Sequence, residues 1–301
     1  MSYETDIEGL RKAFVTELTQ ERRARPKART ARQVEASRSA EMTEQDLEQV
    51  LLDAETFEST ARLLLDILGD ESAALSLRLI ALERLGGAAF QPVRFAPFHA
   101  EFVERLRDLA ESDHKELRHM ALDRLSLDND EVGQRLLKES LEGTRKPLLP
   151  AATAARFLAR DEHGDSAPLF RDLARTGGAR VREQALRALA TDPGSVELLA
   201  SISSDKTERT AVRELAAMSL KAASPERFAD VARDMVLDES EDEHLRTTAL
   251  SAMAFTPGAG DVVDDDRFRE NLKRIKGETA SRSLKTSIDR FTEAREPKAP
   301  E

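Results

Sequence analysis

Cysteine and tryptophan are both missing from this chain of 301 residues, and tyrosine occurs once. Without cysteine there is no disulfide, no thiol nucleophile and no thiolate metal site. Aromatic residues make up 4% of the chain. A core must therefore be built from Leu, Ala and Val, which suits the packing of helix on helix. Nowhere do eighteen apolar residues stand together, and the opening MSYETDIEGL has no basic start followed by an apolar run. No membrane span and no signal peptide are expected, and the reading is a cytoplasmic protein. Basic side chains are outnumbered 46 to 57, for a net charge of −11. That balance excludes whole-surface attraction to a polyanion such as duplex DNA.

Catalytic and metal-binding patterns are scarce too. The histidines are His99, His114, His119, His163 and His244. None stands in a ligand spacing, and no metal site is expected. The glycine pairs Gly86-Gly87 and Gly177-Gly178 lack the lysine of a phosphate loop and read as helix breaks. Acidic clusters at residues 238–243 and 264–266 fall between helical stretches, where carboxylates help to start the next helix. No catalytic residue and no cofactor are assigned.

What the chain does have is a nine-residue phrase that keeps returning. From a branched apolar residue at position zero it places arginine at one, alanine at four, and apolar residues at five and eight. Five copies fit: Leu77-Arg78 with Ala81, Leu82 and Leu85; Leu117-Arg118 with Ala121, Leu122 and Leu125; Val181-Arg182 with Ala185, Leu186 and Leu189; Val212-Arg213 with Ala216, Ala217 and Leu220; and Leu245-Arg246 with Ala249, Leu250 and Met253. Positions zero, four, five and eight share one stripe of a helix. Each copy therefore predicts an amphipathic helix with a small residue where a neighbour comes close. Successive copies lie roughly 32 residues or twice that apart, a period that two helices fill. The one exception is the step of 40 residues from Leu77 to Leu117, which the Gly- and Pro-rich stretch 86–97 accounts for as an irregular insertion. A degenerate copy falls at Leu149, Thr153, Ala154 and Phe157, with Pro150 in the arginine's place.

This hydrophobic-Arg-x-x-Ala-hydrophobic pattern, often behind an acidic turn such as Asp113-His114-Lys115-Glu116, resembles the second helix of the HEAT-repeat family within the armadillo-like group. The resemblance implies an all-α fold, an α-α superhelix or solenoid of about seven helical pairs over residues 43–295. Ahead of it, residues 1–42 read as an amphipathic helix, with Ile7, Leu10, Phe14 and Leu18 at helical spacing, followed by a basic arm. That arm, from Arg22 to Arg32, carries six basic groups and no acidic one. Nucleic acid or an anionic surface is admitted as a partner only there. Residues 296–301 are expected to be a disordered tail.

The repeated arginines Arg78, Arg118, Arg182, Arg213 and Arg246 form a column with two open readings. In the resembled family this position joins a ladder between adjacent repeats through acidic turn residues, here Asp113 or Asp242. In the other reading, part of the column lines the groove and grips carboxylates or phosphates. Off the buried stripe, Glu83, Arg84, His119, Asp123, Arg124, Glu183 and Arg187 are the other groove candidates. Their mixed charge fits a protein surface better than a phosphate track. The expected function is a non-enzymatic scaffold or adaptor that holds another protein on the concave face. The alternatives are a HEAT-like enzyme, of the bilin-lyase or DNA-glycosylase kind, and tethering through the basic arm.

Overall fold

The computed structural model describes residues 57–161, 164–256 and 265–293. The amphipathic stretch at Ile7–Leu18, the basic arm, the start of the solenoid at 43–56 and the tail lie outside them. Fourteen α-helices follow one another along the described residues. In chain order they are α1 Phe57–Gly69, α2 Leu75–Ala88, α3 Pro92–Leu109, α4 Lys115–Leu127, α5 Glu131–Glu142, α6 Ala151–Leu158 and α7 Ala167–Thr176. They continue as α8 Ala179–Ala188, α9 Val196–Ser204, α10 Thr210–Ala223, α11 Pro225–Leu237, α12 Glu243–Ala254, α13 Asp266–Glu278 and α14 Arg282–Glu293. The protein is all-α, and its helices pack in pairs.

The chain divides into two compact units, Met1–Leu137 and Lys138–Glu301. In the first, α1 packs on α2 and α3 on α4; α1 also touches α3, and α2 touches α4. In the second, α7 packs on α8, α9 on α10, α11 on α12 and α13 on α14. There the even helices form a continuous layer, α6–α8–α10–α12–α14, with α9, α11 and α13 in sequence behind it. This is the architecture predicted by the nine-residue phrase.

The phrase works because its stripe is the core. Ala81, Ala121, Ala185, Ala216 and Ala249 are all buried at position four, as are Leu82, Leu122, Leu186, Ala217 and Leu250 at position five. Removing one such leucine side chain costs about 2–5 kcal/mol, since the cavity it leaves cannot close fully. The degenerate copy is a real second helix: Leu149 is buried ahead of α6, and Ala154 and Phe157 are buried within it. Helix starts follow the expected chemistry. The Ser224 hydroxyl accepts from the N–H of Arg227 behind Pro225, Asp242 accepts from Leu245, and Asp265 from Arg267. Asp192 caps a single 3-10 turn, Pro193–Ser195, that leads into α9.

One expectation is corrected. Residues 86–97 are not an irregular insertion: α2 runs through Gly86-Gly87 to Ala88, and α3 begins at Pro92. The additional residues lengthen α3 to 18, with Pro97 inside it. Proline in the first turn is harmless, and even at Pro97 the missing N–H is outweighed by packing. Phe95, Phe98 and Phe102 share one face, with ring centroids 6.2 Å apart for the first two and 5.5 Å for Phe95 and Phe102, and Phe57 lies 6.4 Å from Phe98. Phe90, in the short connection, stays exposed.

Candidate interaction surface

The arginine column turns inward. Arg78, Arg213 and Arg246 are buried, with relative exposures of 7%, 4% and 8%. Each donates through Nε to a carbonyl in the last turn of its own first helix. The acceptors are Leu68 at 3.2 Å, Ser203 at 2.9 Å and Val236 at 3.0 Å. Arg182 does the same to Ala174 at 2.8 Å, while Arg118 reaches Ser112 through Nη1 at 2.5 Å. The last four carbonyls of a helix have no partner within it, and the helix dipole is negative there. In four of the five copies the position-one arginine is thus a side-chain clamp that satisfies one of them and ties the two helices of a pair together, and Arg118 binds instead the turn that follows α3.

Some of these guanidinium groups also complete a ladder. Arg182 forms a two-pronged pair with Glu208, at 3.1 and 2.5 Å, and Arg213 one with Glu241, at 2.7 and 2.5 Å. Both carboxylates come from the turn of the following pair. The hydrogen bond from Arg182 holds the Glu208 carboxyl below its ordinary range, and the one from Arg213 does the same to Glu241 against the opposing effect of burial. The acceptors are therefore not the expected aspartates: Asp242 caps α12, and Asp113 is exposed.

The turn between first and second helix carries a signal that the nine-residue phrase omits. Five residues before position zero stands a hydroxyl in every copy: Ser72, Ser112, Thr176, Thr207 and Ser240. In three copies an aspartate two residues earlier binds both its N–H and its hydroxyl, pairing Asp70 with Ser72, Asp205 with Thr207 and Asp238 with Ser240 at 2.6–2.9 Å. Lys206 then bridges one turn to the next, contacting Asp238 and Ser240. That lysine, followed by Ser240, drives the Asp238 carboxyl far below the usual carboxylate range. A second ladder joins first helices. Arg107 pairs with Asp130, Lys138 with Asp165 and Arg171 with Asp192, each acid lying in the turn before the following first helix.

The remaining candidates line the second-helix faces. Arg187 is exposed on α8, and Glu183 is half-buried beside it. Arg84 on α2 and His119 on α4 are half-buried, and the two helices are packed together. Arg124 is held by Asp128 at 3.0 Å and stacks over Phe90, 5.5 Å from its ring centroid. In the second unit the even layer is cross-linked on this side: His244 meets Glu214 at 3.3 Å, and Ser251 meets Ser287 at 3.1 Å. Among the described residues no three His, Asp or Glu side chains are grouped to hold a metal, and no helix is long and apolar enough to cross a membrane.

No family model matches the chain, and no curated protein does. Solved structures with similar helical pairing include YibA of Escherichia coli, 14% identical over 89% of this chain and 99% of its own, with a TM-score of 0.46. Human deoxyhypusine hydroxylase is 15% identical over 79% and 96%, at 0.35. The complex of CpcE and CpcF of phycocyanin lyase from Nostoc sp. PCC7120 is 15% identical over 90% and 97%, at 0.37. At this level of identity the likenesses concern the paired-helix fold and carry nothing about activity.

Proposed function

We propose that the chain is a non-enzymatic interaction module that holds a partner protein along its second-helix faces. One observation carries this reading: the frame repeats while the face does not. Positions zero, one, four, five and eight recur, and the position-one arginines are spent on the fold's own carbonyls. Position two, by contrast, reads His119, Glu183, Glu214 and Thr247 in four copies, the first copy burying Leu79 there, and position six reads Glu83, Asp123, Arg187, Met218 and Ser251. A frame that is repeated and rigid presents such side chains already placed, so many weak contacts add up at a low ordering cost. Leu127 and Phe255, 55% and 76% exposed, both stand at position ten, at the end of their second helices. They supply the apolar anchors that a mixed polar face lacks.

The test compares capture by the whole chain and by Glu83→Arg/Arg187→Glu, a charge reversal at two exposed second-helix positions of different repeats. Quantitative mass spectrometry of proteins retained from the native host should show a partner bound by the wild type and lost by the variant, at equal helicity and melting temperature. An identical set of retained proteins would overturn the reading.

A further inference from the structure

A cavity of about 470 Å³ opens between the ends of α1 and α3. Arg78, Arg105 and Arg107 line it, with Glu71, Asp108 and Glu111 also in its wall. The closed rungs show what belongs opposite Arg78. Its Nε binds the carbonyl ten residues back, as in Arg213 and Arg246. Where Arg213 then meets Glu241, Arg78 has no acidic partner among the described residues. The residue that matches Glu208 and Glu241, four before position zero, is Asp113; it is one methylene shorter, exposed, and outside the cavity lining. Arg107 is already engaged by Asp130. Arg105 is held only by a long ion pair, 3.8 Å to Glu101 on its own helix, and its Nε is buried without a hydrogen bond. Gly69 makes room for it, since a Cβ there would come within 2.9 Å of the Arg105 guanidinium carbon.

We propose that this cavity is a binding site for a single carboxylate, offered by a peptide or protein as an acidic side chain or a free C-terminus. A guanidinium buried without a counter-charge is unfavourable, and a carboxylate matches its fork with two parallel hydrogen bonds, as Glu208 and Glu241 do within the chain. The surrounding Glu71, Asp108 and Glu111 oppose a dianion, which disfavours phosphate. The site stands apart from the second-helix faces and holds whether or not those faces carry the partner.

The experiment follows the arginine Nε–Hε resonances of the isotope-labelled full chain. N-acetylglycine represents a C-terminus, the α-amide of N-acetylglutamate an acidic side chain, and inorganic phosphate the competing anion. Saturable shifts at Arg78 and Arg105 with either carboxylate, and none at Arg213, are expected; the tighter of the two names the source. Arg105→Gln, which leaves the clamp at Arg78 in place, should weaken binding about tenfold, one charge-assisted contact's worth. Absence of saturation by both carboxylates, phosphate binding as tightly as either, or an unchanged affinity in Arg105→Gln would overturn the assignment.

Discussion

A single arginine does two jobs in this fold, and they separate cleanly by substitution. In the Arg213–Glu241 pair the side chains are 5% and 4% exposed, so solvent screens little of their attraction. Removing one partner leaves the other as an uncompensated buried charge. Glu241→Gln should therefore destabilise the second unit by about 3 kcal/mol, whereas Arg213→Met/Glu241→Leu should lose only about 1 kcal/mol, for the orphaned Ser203 carbonyl. Urea unfolding of the three proteins measures the difference; equal losses in single and double variants would show that the clamp, not the charge pair, dominates. The same carboxyls set the acid limit. Hydrogen bonds from Arg182, Arg213 and Lys206 place Glu208, Glu241 and Asp238 below their unfolded values. The stability they add is complete above the unfolded values and is lost as pH falls through the folded ones. The urea midpoint should hold steady between pH 8 and 6 and fall below about pH 5, more shallowly in a Glu208→Gln/Glu241→Gln variant.

Helix by helix, most of the fold was legible because the phrase marks the one stripe that burial selects. The last pair, α13 and α14, lacks the full phrase, yet Phe268, Leu272, Ile275, Leu284, Ile288 and Phe291, all buried, stand at helical spacing in the sequence. Residues 86–97 were not legible, since glycine and proline signal breaks locally, while the helical spacing of Phe95, Phe98 and Phe102 only prevails once the rings pack. The ladder was half legible. The repeated arginine was plain, but whether Asp or Glu at the turn reaches it depends on depth, which a sequence does not display. The hydroxyl five residues before position zero was present in every copy and calls for no structure to see. Close approach was equally hidden. A Cβ on Gly133 in α5 would lie 2.7 Å from Leu125 Cβ in α4. Gly133→Ala should cost about 1–3 kcal/mol despite alanine's better helix propensity. Because the clash is with Cβ itself, Leu125→Ala should give no relief, and a melting series over the two single variants and the double checks both points.

At the scale of the whole molecule, a repeated frame makes stability a matter of neighbours. Among the described residues of the second unit, each second helix from α8 to α12 packs on its own first helix and touches the second helices before and after it, and α14 meets one neighbouring second helix, α12. Stability in such a stack is a sum of pair terms and interface terms, so position along the stack decides how far a defect spreads. Phe291 in α14 packs edge-on against Phe268 in α13, with ring centroids 5.8 Å apart, and Phe228 is fully buried in α11. Truncating either ring to alanine removes comparable apolar area and costs about 3–5 kcal/mol locally. The consequences differ. Phe291→Ala should raise hydrogen exchange across α13 and α14 and leave α8 to α10 near their wild-type protection, because those helices keep every interface they had. Phe228→Ala strikes an inner pair, so exchange should rise on both sides, through α9–α10 as well as α12–α14. Exchange measured by mass spectrometry on the intact chain distinguishes the two patterns. If Phe291→Ala deprotected the whole second unit as strongly as Phe228→Ala, the unit would be a single cooperative core, and the preformed, locally stabilised faces proposed for partner binding would lose their physical basis.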